Sequence, residues 1–260
     1  MHELLLSMQM LISAQGKRVM LFLSNDAQDE REAINVLLGK GVDGMICLTA
    51  LQSDEDIRRV VKANRKIVFG QGPLDLQAVH TSQTKGIEEL LTLLYHLGHR
   101  RIHMLGLTKD MYPDRNERHM AYRDGMLTRG LDHHIRITPS QPSLPDAYAT
   151  AREILTRDDR PTALMCFNDE MAIGALHAAY EIGLNVPRDL SITGFDGTQL
   201  CQFLNPCLTS YQISPEQVAQ ATVATIFALI SDPNAQITPH QVVGRLLVGG
   251  TTGPARDDPE

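Results

Sequence analysis

Short apolar runs alternate with amphipathic, helix-like segments along almost the whole chain, and this alternation limits the folds open to it. RVMLFLS (18–24), GMICLTA (44–50), KIVFGQ (66–71), AVHTS (78–82), RIHMLGL (101–107), ALMCF (163–167) and LSITGFD (190–196) read as strands. Between them lie segments with apolar residues at helical spacing. Ala33, Ile34, Leu37 and Leu38 form one such stripe, and Ile87, Leu90, Leu91 and Leu94 another, with Gly98 placed to end that helix. Further helices are expected at 117–129, 147–156, 170–183 and 215–230. Repeated strand–helix alternation with apolar strands predicts parallel sheets covered by helices on both faces. The strands are too many for one small sheet. At 72–85 Gly, Pro, Thr and Ser replace helix formers, so a subdomain boundary falls near residue 82. The tail GPARDDPE (253–260) reads as a loose end.

Function is narrowed first by exclusion. A net charge of −7 argues against this chain gripping nucleic acid by itself. No apolar run reaches the ~20 residues of a membrane span. Acid precedes and base follows the apolar stretch of MHELLLSMQMLISAQGKR, the wrong polarity for an export signal. It reads as an amphipathic helix instead. Cys47, Cys166, Cys201 and Cys207 form no Cys-x-x-Cys pair, which suits the reducing cytoplasm. Gly70-Gln71-Gly72 lacks the third glycine and following helix of a dinucleotide fingerprint. His96/His99 and His133/His134 lack the further ligands of a metal set. Neither a cofactor nor a metal is expected, and no signature of nucleophilic or metal-dependent catalysis is present.

What remains is a group of polar residues at strand ends. Gln71 ends KIVFGQ, Arg118 lies in the helix start after 101–107, Asn168-Asp169 follows 163–167, and Asp196 ends LSITGFD. Singly, each has a structural role open to it: a helix cap, a turn, a solvated helix residue. Together they match the rule that open α/β sheets bind ligands beyond the carboxyl ends of their strands. Carboxylate, amide and guanidinium groups suit the hydroxyls of a sugar. Within the polar pair, Asn168 is expected to face the ligand and Asp169 to cap the next helix.

Several segments, in order and spacing, resemble the effector-binding core of lactose/galactose-repressor (LacI/GalR) regulators. They are LLGKGVDGMI (37–46), HLGHRRIHMLG (96–106), ERHMAYRDGM (117–126), PTALMCFNDEMAIGAL (161–176), EIGLNVPRDLSITGFDG (181–197), NPCLTSY (205–211) and GRLLVGGTTG (244–253). The resemblance implies an α/β fold of the periplasmic-binding-protein type (type I). It would have two similar three-layer (α-β-α) subdomains with parallel sheets and an interdomain cleft. One subdomain would comprise 1–81 plus 213–236, the other 82–212 plus 237–253, with 254–260 a flexible tail. It implies effector contacts at Arg118, Asn168 and Asp196, a sugar or sugar phosphate as effector, and a cytoplasmic homodimer. Operator DNA would be bound only through a helix-turn-helix headpiece missing from this chain, and catalysis is not implied. The family commonly has Asp-Arg where Gln71-Gly72 stand, Asp-Asn where Ser82-Gln83 stand, and Gln where Ile213 stands, so sugar identity does not carry over. It also has a first, central strand ahead of the helix read at 2–13. Loss of that strand would leave its neighbours' backbone unpaired, so a fragment or a mis-started reading frame is expected over the alternative, a true deletion of the DNA-binding part. A periplasmic sugar-binding protein of a transport system is the rival reading, because it shares this fold.

Overall fold

The computed structural model describes residues 2–24, 27–48, 54–64, 66–70, 79–108 and 117–256. It divides into two compact units, 1–81 with 214–243 and 82–213 with 244–260. In chain order the first unit supplies α1 (His2–Ala14), α2 (Ala27–Gly39), β1 (Met45–Cys47), α3 (Asp54–Ala63), β2 (Ile67–Phe69) and β3 (Val79–Thr81). The second follows with α4 (Gln83–His96), β4 (Ile102–Leu107), α5 (Glu117–Thr128), β5 (Arg136–Ser140), α6 (Leu144–Leu155), β6 (Ala163–Cys166), α7 (Asp169–Glu181), β7 (Ser191–Asp196) and β8 (Thr209–Gln212). The chain returns to the first unit as α8 (Pro215–Ser231) and β9 (His240–Val242), then to the second as β10 (Arg245–Leu247). This last crossing falls at 243/244 and not at 236/237, because β9 pairs in parallel with β3 inside the first unit.

The second unit is a six-stranded sheet of order β10-β8-β7-β6-β4-β5, parallel except for β10 on β8. Every residue of β4 and of β6 is buried, as strands covered on both faces must be. Their alternation sorts the core. Leu105, Leu107, Leu164 and Cys166 face α6 and α7, where Ala147, Ala151, Ala172 and Ala175 allow close approach. Ile102, Met104, Ala163 and Met165 face Ile87, Leu90, Leu91 and Leu94 of α4 and Tyr122 and Met126 of α5. The edge strand β5 went unread because RITPS is polar and carries Pro139, which an edge tolerates. Below the sheet, buried His99 ties three segments together. Its Nδ1 lies 3.0 Å from Thr162 Oγ1, and its Nε2 lies 2.9 Å from Ser191 Oγ and 3.1 Å from the Gly253 carbonyl. Thr251 extends the tie, accepting from Thr209 N and donating to the Ile192 carbonyl. The expected loose tail is held at least as far as Ala255, whose N–H donates to the Leu97 carbonyl at 2.7 Å.

The first unit has two parallel pairs, β1 with β2 and β3 with β9. Helices α2 and α3 cover the first pair through Ile34 and Ile57, and α1 packs on α8 through Met8, Ala219 and Val223. The strand expected at 18–24 is not formed. Val19, Met20, Leu21, Phe22 and Leu23 are all exposed, Leu23 to 84%. A strand needs a neighbour to take its N–H and C=O groups, and among the described residues this run has none, since β1 pairs only with β2. Leu21→Lys and Leu23→Lys should therefore change folding free energy by less than about 0.5 kcal/mol in urea titration. A larger loss would show that the run buries its side chains.

Candidate functional site

The sheet order places a reversal between β4 and β6. The chain leaves β4 for the outer strand β5 and comes back on the other side as β6. Such a reversal opens a crevice at the strands' carboxyl ends. Arg118, in the first turn of α5, lies across it. Its Nε donates to Gln83 Oε1 at 2.9 Å, one terminal nitrogen to the Phe167 carbonyl at 2.5 Å, and the other to Asp196 Oδ1 at 3.2 Å. The guanidinium lies between two aromatic rings, 4.4 Å from the centroid of Phe167 and 3.9 Å from that of Phe195. Stacking and the planar fork fix its orientation, which a lysine ammonium could not reproduce. The Arg118 side chain is 11% exposed, whereas Asp196 keeps 46% of its surface open.

Asp196 ends β7 with φ at +102°, the only non-glycine residue described with positive φ. Partial burial of the carboxylate raises its pKa. Arg118 opposes that shift and Asp169 adds to it. Gly197 follows at φ +64°, and a Cβ there would sit 2.3 Å from Gln212 Cβ, so the turn admits glycine alone.

After β6 the helix cap comes from Asn168, where Asp169 was expected to supply it. Asn168 is the cap of α7, its Oδ1 accepting from Met171 N at 2.9 Å. The cap falls to Asn168 because it is the last residue with extended backbone, at φ −145° and ψ 176°. Its amide NH2 makes no hydrogen bond among the described residues and remains available as a donor. Asp169 is 2% exposed and turns inward, accepting from Thr198 N at 2.7 Å and Ser210 Oγ at 2.5 Å.

The structure thus brings Arg118 and Asp196 into contact, with Asn168 next to the Phe167 carbonyl that Arg118 holds. Gln71 lies outside the described residues. Gln83, Phe167 and Phe195 were not singled out by sequence, and His119 also lines the site. His119 Nε2 accepts from Leu107 N at 3.2 Å, and its ring meets Phe167 edge-on at 6.0 Å. Burial, with Arg118 alongside, lowers its pKa and keeps the imidazole neutral. Only the placement of Gln83 beside Ser82, at positions where the family has polar residues, could have pointed to any of these. Among the described residues no group of His, Cys, Asp or Glu is arranged to hold a metal ion. No helix described is long and apolar enough to cross a membrane.

Residues 91–252 match the family described as periplasmic binding protein-like domain. The chain belongs to that family. Its relatives make it a core of the LacI/GalR type. It is 28% identical over 197 residues to catabolite control protein A of Priestia megaterium, covering 73% of this chain and 59% of the relative. It is 31% identical over 195 residues to the HTH-type transcriptional repressor CytR of Escherichia coli (strain K12), covering 70% of this chain and 54% of the relative. The LacI/GalR-type core thus spans about three fifths or less of these curated relatives. Among solved structures, a LacI family transcriptional regulator from Enterococcus faecium with bound ribose superposes with a TM-score of 0.86. It is 22% identical, the match covering 97% of this chain and 94% of that one. A transcriptional regulator of the LacI family from Burkhoderia phymatum superposes with a TM-score of 0.84 at 22% identity, the match covering 96% of this chain and 93% of that one. The matched relatives are regulators of transcription, not enzymes.

Proposed function

We propose that this chain is the effector-binding core of a transcriptional repressor that responds to a small sugar. The observation that carries the reading is the Arg118–Asp196 pair at the sheet reversal, its guanidinium stacked on two phenyl rings. Asp196 accepts from vicinal hydroxyls, Arg118 and Asn168 donate to ring or hydroxyl oxygens, and the guanidinium charge is already offset by a carboxylate. That offset favours an uncharged sugar over a sugar phosphate. Bound sugar shifts the population between two arrangements of the core, by as much as its affinities for them differ. Operator contact belongs to a helix-turn-helix headpiece rather than to the acidic surface of this core. The working unit is a cytoplasmic homodimer.

A thermal-denaturation screen tests the reading, with D-ribose first, then other pentoses, hexoses and their phosphates. At a concentration 100 times its dissociation constant, one uncharged sugar adds about 2.7 kcal/mol, a rise of several degrees in Tm. No shift with any sugar, or a shift with phosphates alone, would overturn it.

A further inference from the structure

Asp169 touches neither Arg118 nor the open crevice, yet its carboxylate reaches both residues that follow Asp196. It accepts directly from Thr198 N at 2.7 Å. Through Ser210 it also reaches Gly197, since Ser210 Oγ donates to Asp169 Oδ1 and accepts from Gly197 N at 3.1 Å. Gln212 Nε2 donates to the Gly197 carbonyl, and Ile213 N donates to the Asp196 carbonyl. A non-glycine residue at φ +102° persists only where its surroundings hold it there. Two further features show a place shaped for this carboxylate. Gly194 leaves the space it fills, since a Cβ there would lie 2.4 Å from Asp169 Oδ1. Asp169 is also the first residue of α7, where the free N–H groups of a helix favour an anion.

We propose that Asp169 is the positioning residue of the site: its carboxylate, directly and through Ser210, holds the left-handed turn that aims Asp196 at Arg118. Arg118 and Asp196 therefore stand in register before any effector arrives, which lowers the ordering cost of binding. The role in binding rests on the sugar-effector reading, whereas the role in holding the turn does not. The charged groups facing Asp196 within its unit are Arg118 of α5 and Asp169 of α7, and Asp169 raises the Asp196 pKa.

The test uses the whole 260-residue chain without ligand, followed by NMR. In Asp169→Asn, the Gly197 and Thr198 amides exchange with solvent about tenfold faster or more, as expected on loss of a charge-assisted hydrogen bond. Amides of β4 and β6 keep their wild-type rates. The Arg118 guanidinium signals then shift as Asp196 leaves register with it, a change that a packing role alone would not produce. Ser210→Ala, which keeps the carboxylate and cuts only the bridge, speeds exchange at Gly197 and leaves Thr198 as it was. It serves alone if Asp169→Asn does not fold. Unchanged exchange at Gly197 in Ser210→Ala, or at Thr198 in folded Asp169→Asn, overturns the proposal. A wild-type chain that answers to no sugar overturns the effector reading and leaves these measurements standing.

Discussion

Arg118→Ala weakens binding of the stabilising sugar by about 100-fold or more and erases its thermal shift. The substitution removes bonds to Gln83, the Phe167 carbonyl and Asp196, together with both ring stacks. A hydrogen bond to a charged group contributes about 1.5–3 kcal/mol, and 100-fold in affinity corresponds to about 2.7 kcal/mol. The loss of one guanidinium-to-sugar bond is thus enough, before any disordering of Asp196 is counted. Arg118→Lys should recover little of it, because an ammonium cannot occupy the fork between the two rings. Calorimetric titration of each folded variant with the same sugar reads the effect. Arg118→Ala binding within threefold of wild type would remove Arg118 from the site.

Acid should unfold the second unit through its buried imidazoles, and His103→Gln should blunt the response. His103 sits on β4, 7% exposed, with Nε2 2.8 Å from Thr138 Oγ1. Burial, aided by Arg157 and Arg136, lowers its pKa from 6.5 to about 4. The unfolded chain therefore takes up the proton first, and stability present above about pH 6.5 is lost as the pH falls toward 4. At 1.36 kcal/mol per pKa unit, His103 alone accounts for about 3 kcal/mol. His99, lowered mainly by burial, acts in the same direction. Urea titrations at intervals between pH 7 and pH 4 measure the slope. The proposal for His103 fails if His103→Gln loses stability as steeply as wild type.

The sequence was most informative where backbone and side chain obey the same rule. Apolar runs that alternate with amphipathic segments can only stack as covered parallel strands, so β4, β6, β7 and the helices α4 to α8 were legible. Arg118 and Asp196 were legible too, because polar residues at the ends of such strands converge on one edge. Reading failed where a partner decides. RVMLFLS looks like a strand from its side chains, but strandhood depends on a neighbour that no local pattern reveals. The polar RITPS looks like a loop, yet β4 recruits it as an edge. The cap went to Asn168 and not to Asp169, although either side chain can cap a helix. The choice was made by Thr198 and Ser210, whose donors claim the buried carboxylate from 29 and 41 positions along the chain.

The polar clasp around His99 has a consequence for the order of synthesis. Its partners Thr162 and Ser191 belong to the continuous stretch 82–213, but Thr251 and Gly253 emerge only after α8 and β9 have been made for the other unit. During translation the second unit must wait, with a buried histidine lacking the Gly253 carbonyl and β8 lacking β10, until that excursion is complete. Each unit has its own core, yet neither can be finished before the other's chain is present. A ribosome halted within 214–243 would hold two unfinished units rather than one finished and one pending.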